Sequence, residues 1–342
     1  MALIFADSFD HYSDSQKLRK WDSVTGGIPG AITSGAGRNS TAGWRSTAGS
    51  FQSWWRKALP PAATYFFGHS LYTSAIPGDT RSLCSFYDES TQQVNIVILA
   101  DGRLRALRGN STTLGTSTKA IASGQTNYIE YKITASDASG VVEVRVNGTN
   151  SGWLNLSSVD TNNGGSSLIS NFYMGSDNSN SSWAWDIDDL YICDSTGGTN
   201  NTFLGDIRVQ AIYPTGAGNY TQWTPSTGAN YAAVDDNPAN DETDYNSSST
   251  ASQIDSFVFG DVTPTSGTVY AVCVNLMARK DDAGTRTLRA LARLSGTDAT
   301  GSSVNIGTSY VVYQSILETK PGGGSWSISD VNNSEFGYEL VA

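Results

Sequence analysis

Charge is scarce in this chain, and histidine, cysteine and long apolar runs are scarcer. Charged residues make up 15% of the 342, with 21 basic against 32 acidic side chains and a net charge of -11. A nucleic-acid binder needs a basic footprint, and attraction to an anionic membrane needs the same sign, so both classes are disfavoured. No apolar run reaches the ~18 residues that a membrane-spanning helix requires. Only His11, in an early polar loop, and His69, in a core-like strand, are available as imidazoles. A Ser/His/Asp or Cys/His arrangement is therefore unsupported. Cys84, Cys193 and Cys273 are odd in number and widely spaced, without a Cys-x-x-Cys pair, which speaks against zinc. They read as small buried hydrophobes, with one disulfide plus a free thiol as the alternative. The first residues lack a basic segment and a long apolar core, so no signal peptide is expected, and synthesis in a reducing cytoplasm follows. Heptads, hexapeptide repeats and other internal repeats are missing, which argues against a long fibre.

What the chain does have is alternation. Residues 128–133 place Ile129, Tyr131 and Ile133 against Glu130 and Lys132, and residues 142–146 place Val142, Val144 and Val146 against Glu143 and Arg145. A period of two marks half-buried strands. The second arm ends at Asn147-Gly148, a turn signal. Further strands are expected at 3–9, 64–72, 82–87, 94–99, 104–107, 168–175 and 187–192. No long run of helical period stands out, and Gly, Ser, Thr and Asn are abundant, as in an all-β protein with many turns.

Residues 195–202 are polar and Gly-rich, which makes them the expected linker between domains at 1–196 and 203–342. Beyond it, strands are expected at 254–259, 269–277, 287–294, 309–317 and 336–341. The stretch 271–278 is nearly all apolar, as for a strand buried on both faces. The second domain is expected to be a smaller β-sandwich.

The succession of strand, short turn, strand ending in Val146-Asn147-Gly148, strand ending at Gly175, and closing strand Ile187-Asp188-Asp189-Leu190 resembles the laminin-G-like, concanavalin-A-like jelly roll. The resemblance covers roughly the first 195 residues. It implies a jelly-roll sandwich and does not name a function.

Several residues are candidates for chemistry. Some glucanases of this sandwich class carry Glu-x-Asp-x-Glu on one strand, and retaining hydrolysis needs two carboxyls roughly 5 Å apart. Here Asp186-Ile187-Asp188-Asp189-Leu190 has Leu190 where the third acid would stand, so a structural strand is the plainer reading. Asp186 and Asp188, and Asp235 and Asp236 in the acidic passage 235–244, are candidate Ca2+ ligands. That passage lacks the order of an EF-hand loop, and a solvated acidic loop is its plainer reading. No other cofactor is implied. Nine tryptophans and 16 tyrosines are many for this length, and exposed aromatics stack on sugars or anchor protein interfaces. Trp54-Trp55 stands out because adjacent strand residues point to opposite faces. Trp183 and Trp185 share a face, where core packing competes with glycan or partner binding.

Residues 188–194, 203–209, 222–225 and 326–337 look like virion structural proteins of tailed bacteriophages. The resemblance implies a non-enzymatic, surface-exposed part of the particle, assembled in the host cytoplasm, with capsid or tail proteins as partners. Decoration of the particle or adhesion to host-surface glycans would be its task, and a homo-oligomer is expected. The alternatives are a polysaccharide-degrading hydrolase of the virion and a purely structural cement protein.

Overall fold

The computed structural model describes residues 2–25, 30–46, 53–176 and 183–342. The protein is built almost wholly from antiparallel strands and forms two compact units. The first comprises Met1–Phe9 with Trp21–Val209, and the second Asp10–Lys20 with Gln210–Ala342.

The first unit is a sandwich of two sheets. One sheet runs in the order Asn155–Val159, Gly140–Val146, Thr126–Thr134, Thr64–Thr73, Trp185–Asp194, Ala42–Ser46, Ala31–Ser34, with Leu3–Asp7 also paired to Trp185–Asp194. The other runs Thr112–Ala120, Arg103–Arg108, Thr91–Ile98, Arg81–Asp88, Ile169–Ser176, Ser53–Ala62, Ser23–Thr25. The expected hairpin forms with Ile129 opposite Val146, Tyr131 opposite Val144 and Ile133 opposite Val142. Its two arms are joined through residues 135–139, and beyond the second arm a tight turn at Asn147 (φ 50°) and Gly148 (φ 77°) bridges Val146 to Thr149.

Between the sheets lie the inward members of each alternation. Phe67 stands 4.7 Å from Phe86 and 4.9 Å from Phe172, ring centre to ring centre, which joins the two layers. All three are fully buried, and each such side chain contributes about 1.5–3 kcal/mol by leaving water. At one end the indoles of Trp21, Trp55, Trp44 and Trp185 follow one another at 5.0 to 6.2 Å in edge-on contacts.

The expected linker is not where the units part. The division falls between Val209 and Gln210 because 203–209 is bound to the first sheet. Phe203 packs on Phe66 at 5.2 Å beneath the Arg145 guanidinium, 3.9 Å from its ring centre. Leu204 N donates to Tyr191 Oη (3.1 Å), Gly205 N to Glu130 Oε1 (2.8 Å) and Val209 N to Asp189 Oδ1 (2.6 Å). The strap thus supplies one backbone donor each to buried Glu130 and Asp189. The inclusion of Asp10–Lys20 in the second unit had no sequence signal.

The second unit has a six-stranded sheet in the order Pro214–Thr221, Ile254–Phe259, Glu335–Leu340, Thr287–Leu294, Thr297–Thr300, with Val304–Asn305 also paired to Thr287–Leu294. A ribbon of Val272–Ala278 and Val311–Leu317 packs on it, placing Val274 and Leu317 with Ala290, Ala292, Trp326 and Phe336. The stretch 271–278 is therefore not buried on both faces. Val274 alone in that strand is buried, and its neighbours are half-buried or exposed.

Candidate functional site

The closing strand Trp185–Asp194 contains a bulge that decides the fate of its carboxylates. Its pairing with Thr64–Thr73 shifts between Asp188 and Tyr191, and Asp189 adopts φ 53°. Trp185 and Ile187 face the core before the bulge, Leu190 and Ile192 after it, so the extra residue reverses the alternation. Asp186 accepts both terminal bonds of Arg45, at 2.6 and 2.7 Å. Asp188 Oδ2 accepts from Arg38 N (2.8 Å) and Thr41 Oγ1 (3.1 Å), while its Oδ1 accepts from Asp189 N (2.7 Å). Asp189 Oδ2 pairs with Arg38 Nε at 2.7 Å, and burial pushes its carboxyl up against the pull of that guanidinium. Asp186 and Asp188, expected as Ca2+ ligands, thus hold the strand and its neighbouring loop together through these bonds.

Asp235 and Asp236 lie in the second unit. The carboxyl of exposed Asp236 is raised by slight desolvation, by a hydrogen bond shared with Asp244 and by the charges of Asp244 and Asp235. Among the described residues, no three His, Cys, Asp or Glu side chains converge so as to hold a metal ion.

His69 is fully buried, stacked on Tyr131 at 5.6 Å with Nδ1 3.1 Å from Ser70 O and Nε2 3.1 Å from Tyr131 Oη. Burial lowers its pKa to about 4, which keeps it a neutral core residue. Cys84 and Cys193 are buried, Cys273 is half-buried, and none forms a disulfide.

Three of the four candidate tryptophans are interior. Trp55 is 0% exposed, Trp185 1% and Trp183 6%, with Trp183 Nε1 donating to Thr73 Oγ1 at 2.7 Å. An indole inside the core cannot stack on a sugar, so these three are corrected to packing residues. Trp54 is half-buried on the other side of its strand, as the alternation with Trp55 requires.

Trp54 leads to a site that the sequence reading missed: the face of the seven-stranded sheet turned away from the core. Arg56 stands opposite Tyr173, Tyr173 opposite Ser85, Ser85 opposite Asn95, and Asn95 opposite Leu107, so one row crosses five strands. Core residues Trp55, Phe172, Met174, Phe86, Ile96 and Ala106 alternate with them, which fixes the facing of every member. Tyr87 lies 4.6 Å from Tyr173, and Trp54 lies 6.3 Å from it, ring centre to ring centre. Under this half-buried aromatic layer is a buried polar network. Ser85 Oγ donates to Asn95 Oδ1 (3.0 Å), Asn95 Nδ2 to Ser82 Oγ (3.0 Å), and Gln92 Nε2 to Ser85 Oγ (2.9 Å). Such a network fixes the amides in place and makes the face rigid. The signal was local in part, since Tyr173 sits between Phe172 and Met174. Its grouping with Trp54 and Arg56 depends on strands more than a hundred residues apart in sequence.

No family model and no curated protein matches the chain. Among solved structures, a sialidase is similar over 54% of this chain and 18% of its own, at 11% identity and a TM-score of 0.36. A Trypanosoma rangeli sialidase in complex with 2,3-difluorosialic acid is similar over 44% of this chain and 25% of its own, at 14% identity and 0.33. An alginate lyase in complex with an alginate trisaccharide is similar over 56% of this chain and 97% of its own, at 12% identity and 0.39. The chain thus spans a quarter or less of the length of these two sialidases.

Proposed function

We propose that the protein is a non-catalytic saccharide-binding component on the surface of a bacteriophage particle, serving adhesion or decoration on capsid or tail. The observation that carries the binding role is the rigid face bearing Trp54, Tyr87 and Tyr173 above a fixed set of amides and hydroxyls. Half-buried rings offer flat apolar area at little cost in side-chain entropy, and the buried amide and hydroxyl network beneath holds that surface rigid. The engagement of Asp186 by Arg45, and of Asp188 by backbone and Thr41, supports binding without turnover. The particle setting rests on the resemblance of 188–194, 203–209, 222–225 and 326–337 to phage structural proteins. Partners would be other virion proteins and host-surface glycans.

A glycan array probed with the labelled protein, with sugar release measured in parallel, tests this reading. Saccharide retention without release is the expected result. Release that disappears in an Asp186→Asn, Asp188→Asn double variant would replace binding by hydrolysis. A bare array, together with tight binding to purified particles, would leave a cement protein.

A further inference from the structure

Arginine in this protein is nearly always neutralised. In the first unit Arg38, Arg45, Arg81 and Arg145 each sit on a carboxylate. Arg103 and Arg108, on the same strand as Arg105, are held by Asp101 and Asp160. With 32 acidic against 21 basic side chains, a carboxylate is rarely far away. Arg56 and Arg105 depart from this pattern, and both belong to the face described above. Among the described residues Arg56 has no carboxylate partner, and its Nε is shielded from solvent without a hydrogen-bond acceptor. Arg105 Nε donates to Thr116 Oγ1 at 3.1 Å, and among the described residues no carboxylate pairs with it. Shielding one N–H of the Arg56 guanidinium with no acceptor is costly unless something else supplies one.

The two positions are four strand spacings apart, roughly 19 Å across the sheet. Between them lie Tyr173, Ser85 and Asn95, so the cationic ends are joined by aromatic and amide positions. One sugar cannot bridge such a span, whereas several linked sugars with repeating anionic groups can. We propose that this face takes an extended anionic polysaccharide, lying across the strands with carboxylate or sulfate groups on Arg56 and Arg105. The inference rests on the saccharide-binding reading and adds to it the charge and the length of the ligand.

The test measures binding of the full chain to polygalacturonate, hyaluronan and dextran sulfate, and to neutral dextran and mannan. Binding to at least one acidic polymer is expected, weakened by added salt and growing with oligosaccharide length until both arginines are spanned. Arg56→Gln and Arg105→Gln should each reduce it about tenfold, the worth of a charge-assisted bond, while Arg289→Gln in the second unit leaves it unchanged. Arg56→Lys keeps the charge and should lie between, and an unaltered melting temperature certifies each variant as folded. Binding to neutral polymers alone would overturn this inference and leave the saccharide reading standing. Retention of no polysaccharide would overturn both, and so would retention of double-stranded DNA in place of every sugar.

Discussion

His69 makes the stability of the first unit depend on pH in a calculable way. Its ring is fully buried against Tyr131, and its pKa falls from 6.5 to about 4. The unfolded chain therefore binds a proton at this position below about pH 6.5 that the folded chain refuses until about pH 4. Stability rises with pH wherever the unfolded state holds more protons, so this contribution is complete above pH 6.5 and is lost as pH falls towards 4. The full span of about 2.5 pH units corresponds to about 3 kcal/mol, of which about 2 kcal/mol is already lost at pH 5. The facing groups Tyr131 and Cys84 are both pushed up by burial and do not ionise in this window. Urea unfolding of the wild type and of His69→Gln, compared between pH 4.5 and 8, isolates the effect, because the carboxylates are common to both chains. The difference in stability between them should shift by about 2 kcal/mol between pH 7 and pH 5, to the disadvantage of the wild type. Parallel curves over that range would refute the reasoning.

Other perturbations bear on other parts of the structure. A Cβ at position 68 would stand 2.1 Å from the Tyr191 ring, so Gly68→Ala should cost about 1–3 kcal/mol in urea unfolding by overpacking beneath the strap. In the second unit, fully buried Asp255 accepts from Gln222 N (2.6 Å), Trp223 N (2.9 Å) and Asn230 Nδ2 (2.6 Å). Asp255→Ala removes that acceptor, and although Gln222 N keeps Ile254 O and Asn230 Nδ2 keeps Trp223 O, Trp223 N is left unmet, so stability should fall by about 1–3 kcal/mol, read from the same unfolding curves. Burial raises the thiol of Cys273 to about 11 and that of Cys84 further, so a thiol-directed reagent at pH 8 should label neither until the protein is unfolded.

The parts of the fold that were legible in sequence are those set by local alternation. Residues 128–133 and 142–148 specify their own hairpin because side-chain period, turn chemistry and pairing all fall within a short stretch. The closing strand was readable as a strand, but the bulge at Asp189 was not. It follows from a register mismatch with Thr64–Thr73 and from the demand of Val209 N for an acceptor, both non-local. The polar stretch 195–202 looked like a domain boundary on composition alone. The division lies later because Leu204, Gly205 and Val209 have backbone donors satisfied on the first sheet. Trp55 stood out as a surface candidate through its adjacency to Trp54, and Trp183 and Trp185 were open between core packing and binding, while the core has room for all three. The candidate face was hidden for the opposite reason. Its members, Arg56, Tyr87, Asn95, Arg105 and Tyr173, are unremarked one at a time and meet only through the pairing of five strands.

The central claim is that this face binds saccharide, and Tyr173 stands at its middle. Its ring is half-buried and points away from the core, so Tyr173→Ala removes a stacking surface without opening a cavity between the sheets. The direct measurement is the affinity of wild type and Tyr173→Ala for the best-bound polysaccharide of the array, with melting temperatures taken alongside. Loss of one stacked ring, at ~1.4 kcal/mol, predicts an affinity about tenfold lower with the fold unchanged. Equal affinity in the two proteins would contradict the account and place any saccharide site elsewhere on the molecule.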